Sequence, residues 1–319
     1  IYIDGMEEDE KKAFRYFQES TVAYDQKQLE KAIEAGRKAL SSDLEQKGYY
    51  LHLANLYGVA NDYKKGKQVL EAAILQFPED AELYDALSVH AYYLKDYNRA
   101  LEAVNKAVEL DGSNGGYLYH QGKVYFALKQ YDQAVKALQL ATYVNRKSPR
   151  YNHDLAVALY HTGKLDDAIN YAKVAVKEAS SSKEKYHMTL GKLYLKKWEQ
   201  VYKDTNLEEA KKKEELKNWA KLAYRQFDSA VDEEKDYAEA LYYRSVSHYL
   251  YGHFVTAEIA AEKAAKLDPK NPLYHYQLGL AYIASGKRED ALKALEKAYE
   301  LDANNEFIQL ALKKAQGMR

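Results

Sequence analysis

Ala39, Ala73, Ala107, Ala141 and Ala175 follow one another at intervals of 34 residues, and after a single interval of 55 the beat resumes through Ala230, Ala264 and Ala298. A chain written this way is an array of one unit, and its length counts copies instead of enlarging one core. Two more columns keep the rhythm: Ala32, Gly66, Ala100, Ala134, Ala168, Ala223, Ala257 and Ala291, then Gly36, Leu70, Val104, Leu138, Ala172, Phe227, Ala261 and Leu295. Earlier in each unit stand Ser20, Ala54, Ser88, Gly122, Ala156, Gly191, Ser245 and Gly279, none larger than Ser. Small side chains belong where two helix backbones approach closely, because one inserted methylene there costs about 1–3 kcal/mol. The pattern predicts helix-turn-helix units in which a first helix (A) carries a notch and a second (B) fills it.

The columns resemble the tetratricopeptide repeat family. Leu278-Gly279, Tyr282, Ala291, Leu295 and Ala298 stand at its spacing, as do Gly122, Tyr125, Ala134, Leu138 and Ala141. The resemblance implies an all-α, right-handed superhelical solenoid of about eight repeats over residues 13–305, with a leader over 1–12 and a capping helix over 306–319. In the leader, Glu7, Glu8, Asp9 and Glu10 suit a helix start, where acidic groups complement the dipole. The cap carries Phe307, Leu310 and Leu312 on a partly charged helix and is expected to solvate the end of the array. Gly36, Gly66 and Ala172 are expected to thin the packing of their units, and Ser20 and Ala23 stand where the family favours Gly and Tyr.

Composition narrows the function. With 47 basic and 48 acidic residues the net charge is −1, which gives no bulk attraction to nucleic acid or an anionic membrane. No apolar run reaches the ~18–20 residues needed to span a bilayer. Cysteine is absent, so disulfides and thiolate metal sites are excluded. There is no His-Glu-x-x-His, no phosphate-cradling loop and no Gly-x-Ser-x-Gly. Ser285-Gly286-Lys287 falls in an ordinary turn, and His120, His153, His161, His187 and His275 are scattered along A helices without converging. The sequence therefore predicts no catalysis, no cofactor and no metal. Ile at position 1, the lack of cysteine and the lack of an Asn-x-Ser/Thr sequon fit a processed protein of the bacterial envelope facing the periplasm, and fit a cytoplasmic fragment as well.

The broken interval sets this array apart. Twenty extra residues lie between helices A and B of the sixth unit, roughly Trp198 to Asn218, with neither Pro nor Gly and many good helix formers. They predict a helical hairpin turning near Asp204 to Asn206, with Thr205 and Glu208 spaced as a capping box. Trp198 and Trp219 fall on opposite arms of its base. They either stiffen it by packing together or, with Tyr202, form an aromatic contact for a partner.

Thirty-two tyrosines are the other compositional outlier. Tyr57, Tyr125, Tyr194 and Tyr282 follow the notch by three residues and are expected between helices, while Tyr63, Tyr97 and Tyr131 stand at A–B turns. Other aromatic residues occupy A-helix positions that, by the resemblance, line the concave face. Tyr119, Lys123 and Phe126 in the fourth unit are followed by Arg150, His153, Val157 and Tyr160 in the fifth. Lys185, Met188, Lys192 and Leu195 come next, then Tyr242, Val246 and Tyr249, then Tyr276. Such a groove suits an extended peptide or amphipathic helix of another protein. Lys123, Arg150, Lys185 and Lys192 suggest an acidic or C-terminal segment, competing with ordinary solvated charge. Heat-shock-protein tail binding is disfavoured, since Asn55 alone matches the co-chaperone clamp. The leading reading is a non-catalytic scaffold or adaptor with groove and hairpin as separate contact surfaces, able also to self-associate. The alternatives are a receptor for a short peptide signal and a regulatory subunit of an enzyme or export machine.

Overall fold

A computed structural model describes residues 7–317, and all regular structure among them is helical: seventeen α-helices and no strand. Ile1 to Met6 of the expected leader, and Met318 and Arg319 of the expected cap, lie outside the described residues. Among those described, no helix is long and apolar enough to cross a membrane. The chain divides into two compact units, residues 1–146 and 147–319.

The first unit holds four helix pairs: α1 (Glu8–Asp25) with α2 (Leu29–Ser42), α3 (Lys47–Val59) with α4 (Tyr63–Gln76), α5 (Ala81–Tyr93) with α6 (Tyr97–Leu110), and α7 (Gly115–Ala127) with α8 (Tyr131–Val144). Helix α1 starts at Glu8, ahead of the expected Ala13, and Glu10 accepts a hydrogen bond from the Glu7 amide at 2.9 Å. The second unit holds α9 (Pro149–His161) with α10 (Leu165–Glu178), α11 (Lys183–Lys203) with α12 (Glu209–Glu233), α13 (Ala238–Tyr251) with α14 (Phe254–Leu267), α15 (Pro272–Ala284) with α16 (Arg288–Leu301), and the terminal α17 (Glu306–Gln316).

The notch is filled as the columns require. A β-carbon built on Gly122 would stand 2.6 Å from Leu138 Cγ, one on Gly191 2.7 Å from the Phe227 ring, and one on Gly279 2.4 Å from Leu295 Cγ. Where the B-helix column is Gly36, the notch residue Ser20 closes the gap, its hydroxyl 3.3 Å from that position. Two glycines expected to thin the packing therefore do not. Gly36 also has Leu53 and Leu56 in contact range, and Gly66 makes room for the His90 imidazole, which a β-carbon would overlap. His90 fills that space with its ring nitrogens 3.0 Å from the Ala54 carbonyl and 2.9 Å from the Ala86 carbonyl, either of which accepts from the N–H tautomer facing it.

Turns and caps explain the register. A left-handed residue recurs at the A–B turns: Lys27, Asn61, Lys95, Lys129, Gly163, Gly252 and Gly286. Tyr63, Tyr97 and Tyr131 open the following B helices. Tyr97 packs on Tyr92 at 5.5 Å, Tyr131 on Phe126 at 5.3 Å, and Tyr63 stacks on Tyr93 of the next repeat at 4.5 Å. Asp62, Asp80, Asp96, Asn114, Ser148, Asn271 and Asn305 cap helix starts with their side chains, satisfying amides that have no intrahelical partner.

In the sixth repeat α11 and α12 run 21 and 25 residues, against 13 to 14 in its neighbours in the second unit. The connection spans residues 204–208, but Thr205 and Glu208 form no capping box. Glu208 is itself the N-cap residue and makes no side-chain cap bond. The turn is closed instead by Asp204, whose carboxylate accepts from the Asn206 amide (2.8 Å) and whose carbonyl accepts from Lys212 Nζ (2.7 Å). In α17 the buried face is Ile308, Ala311 and Ala315, the last two packed on Ala291 and Leu295; Phe307 and Leu310 point outward, 73% and 68% exposed.

Candidate partner-binding groove

Helices α9, α11 and α13 enclose a groove of about 620 Å³ in the second unit. Helix α9 contributes Val157, Tyr160 and His161; α11 contributes Thr189, Lys192, Leu193, Leu195, Lys196 and Glu199; α13 contributes Tyr242, Tyr243 and Val246. These helices present the same face because each is the A helix of its repeat, and residues three and four apart share a side of a helix. Lys192, Leu195, Lys196 and Glu199 form such a run on α11.

The lining combines apolar area with balanced charge. Lys192 Nζ lies 2.8 Å from Glu239 and 4.9 Å above the Tyr243 ring, and Lys196 lies 3.1 Å from Glu199. Hydrogen bonding to Glu199 holds the Lys196 ammonium above its ordinary pKa, and bonds from Lys203 and Lys196 hold the Glu199 carboxyl below its own. Burial first, then the neighbouring tyrosines, pushes the Tyr242 phenol up to about 12, so it remains a hydrogen-bond donor through the physiological range. The Lys192–Glu239 pair is 40% and 42% exposed, and pairs of that kind contribute about 0–1 kcal/mol. An incoming carboxylate can therefore take Lys192 from Glu239 at little cost.

Of the residues singled out in the sequence, Tyr160, Lys192 and Tyr242 meet here, together with Val157, Leu195 and Val246. The others stand elsewhere. In the first unit Tyr119 is buried, Lys123 Nζ lies 4.9 Å above the Tyr92 ring, and Phe126 packs on Tyr131. In the second, His153 is held between Asp154 (2.7 Å) and Thr189 (2.9 Å), Arg150 lies over Tyr151, and Lys185 lies over Tyr186. Met188 is buried, Tyr249 packs on Phe254, and burial, with a smaller contribution from Tyr249, raises the Tyr276 phenol pKa. His161, Thr189, Leu193, Lys196, Glu199 and Tyr243 were missed. The i+4 and i+3 steps from Lys192 to Lys196 to Glu199 were the available signal, once α11 is allowed to run past the ordinary length of an A helix.

The model for anaphase-promoting complex, cyclosome, subunit 3 matches residues 72–141, and two tetratricopeptide repeat models match 119–183 and 272–305. The chain is a tetratricopeptide repeat protein. It is 26% identical over 259 residues to a TPR repeat-containing protein of Methanocaldococcus jannaschii, covering 71% of this chain and 45% of that one. It is 31% identical over 171 residues to the mitochondrial import receptor subunit TOM70 of Saccharomyces cerevisiae, covering 51% and 24%. The chain thus spans less than half the length of these curated relatives. Among solved structures, the C-terminal part of a TPR protein from Cytophaga hutchinsonii aligns with a TM-score of 0.60 at 15% identity, over 82% of this chain and 99% of that one. The Cut9–Hcn1 hetero-tetramer of the APC/C aligns with 0.57 at 15%, over 90% and 52%. At these identities the likeness shows the fold. Tetratricopeptide repeat proteins generally mediate protein–protein interaction and assembly.

The tryptophans of this tetratricopeptide repeat protein do not make the pair with each other that their places in the sequence suggested. Trp219 packs on Tyr194 at 5.8 Å, and Trp198 stacks on Tyr202 at 5.2 Å with the rings 8° from parallel. Among the described residues no group of His, Asp and Glu could hold a metal ion. The histidines serve as ties instead: His52 to Ser20 (2.8 Å), His90 to Ala54, His120 to Asp85 (2.8 Å) and His153 to Thr189, each linking one repeat to its neighbour.

Proposed function

We propose that this protein is a non-catalytic scaffold or adaptor that seats an extended or helical segment of a partner protein in the groove of α9, α11 and α13. The long α11–α12 pair offers a second contact surface. One observation carries the reading: three successive A helices place Val157, Tyr160, Leu195, Tyr242 and Val246 around a single open volume beside the exchangeable cation Lys192. Tyrosine is favoured at such centres because it combines a large apolar face with a polar tip at low entropic cost. An apolar partner side chain enters between Tyr160 and Tyr242, and a neighbouring carboxylate displaces Glu239 from Lys192.

A photocrosslinking amino acid placed at Leu195, compared with one at the exposed Ile259 of α14, tests this in the protein's native host. The same polypeptide recovered as an adduct from position 195 and absent from 259, with the adduct lost in Val246→Asp, is the expected result. Equal labelling from both positions refutes it.

A further inference from the structure

A second open volume, about 750 Å³, lies where the extended arms of α11 and α12 meet the end of α13. Its aromatic wall is the Trp198–Tyr202 stack, one helical turn apart on α11, with Tyr251 opposite. Tyr202 is 59% exposed, so much of its ring is open to a partner. Lys212, Lys213 and Lys217 of α12 line the same volume against a single carboxylate, Glu209. Lys212 Nζ lies 5.9 Å above the Tyr202 ring and Lys217 Nζ 5.3 Å above the Tyr251 ring. None of the three forms an ion pair among the described residues. Nearby Lys196, Lys197 and Lys203, outside the volume, are all paired with carboxylates.

We propose that this surface binds an acidic segment of a protein partner, with one aromatic or aliphatic side chain laid against the Trp198–Tyr202 stack. Charge complementarity selects the occupant. The segment's carboxylates pair with Lys213 and Lys217, which form no ion pair among the described residues, and its apolar residue covers exposed ring surface. The proposal names the class of ligand for the second contact surface of the scaffold reading, and it does not depend on the groove of α9, α11 and α13.

The probe is a fluorescein-labelled synthetic peptide of Asp and Glu residues flanking one Phe, titrated against the full chain by anisotropy. Saturable binding is expected. The double variant Lys213→Glu, Lys217→Glu weakens it roughly tenfold, since each exposed charge pair becomes a repulsion, and Tyr202→Ala or a Gly in place of the peptide's Phe weakens it several-fold. These side chains lie at the surface of the insertion, so circular dichroism should show the fold retained. Because the peptide also suits the groove of α9, α11 and α13, the titration is repeated in a Val246→Asp background, where saturable binding and its dependence on Lys213 and Lys217 persist. The proposal is overturned if the charge-reversed chain binds equally well, if a peptide with Lys in place of the acidic residues binds as tightly, or if Val246→Asp abolishes binding. It is likewise overturned if phosphatidylserine vesicles, or a second copy of this chain in sedimentation, and not the peptide, show the dependence on Lys213 and Lys217. Peptide binding that survives while position 195 yields no specific adduct would remove the groove reading alone.

Discussion

A β-carbon at Gly122 would lie 2.6 Å from Leu138 Cγ and 3.3 Å from the Leu138 amide nitrogen, in a notch with no free volume. Overpacking of that kind costs about 1–3 kcal/mol, whereas Ala in a helix gains about 1 kcal/mol over Gly. Gly122→Ala is therefore expected to lose about 1 kcal/mol net in urea unfolding. The loss should shrink in a Leu138→Ala background, where the conflict is absent. The tie at His52 sets a pH dependence. Burial holds its imidazole pKa below 6.5, so the folded state keeps it neutral while the unfolded chain protonates more readily. Stability from this group is fully present above the unfolded value and is lost as pH falls from there through the lower folded value. The urea midpoint should therefore drop as pH is lowered from neutrality through the unfolded value, and His52→Gln should reduce that drop. At this scale the notch was legible, because a repeat shows its small residues in columns. The ties were not. His90 sits beside Gly66 because of a carbonyl 36 residues away, and Lys192 meets Glu239 across 47; neither distance has a sequence signature.

Seven A–B turns share a left-handed residue, and the chain fills the same place with Lys or Asn in its first four repeats and with Gly in three later ones. A residue with a β-carbon pays about 1 kcal/mol for that conformation. Lys129→Gly should therefore raise stability by about 0.5–1 kcal/mol, and Gly163→Ala, at φ +79°, should lower it by a similar amount; thermal denaturation of the two variants checks both signs. The insertion was legible as an interruption of the period, and its helical character follows from good helix formers without Pro or Gly. Its closure was not, since Asp204 accepting from the Asn206 amide and Lys212 replaced the capping box that Thr205 and Glu208 promised. The groove was half legible for the same reason. Tyr160, Lys192 and Tyr242, at repeat positions that the family resemblance marks as concave, were found; Thr189, Leu193 and Tyr243 on the same helices, and Lys196 and Glu199 on the extension of α11, were not.

The described residues form eight helix pairs and a terminal helix, grouped into two compact units. Repetition supplies the fold, and departure from repetition supplies the individuality of this protein. Small residues at the notch recur in every repeat, and side-chain caps and a left-handed turn residue recur in many. Both proposed contact surfaces lie in one unit, where the A helices α9 and α13 bring Tyr160 and Tyr242 to one groove and one repeat is lengthened. Both tryptophans lie in that unit, so their fluorescence reports on it selectively. Hydrogen–deuterium exchange on the protein, alone and with the polypeptide captured from position 195, tests the central claim most directly. The account predicts slowed exchange in α9, α11 and α13 around Tyr160, Lys192 and Tyr242. Protection confined to the B helices α10 and α14, with those three segments unchanged, would contradict it.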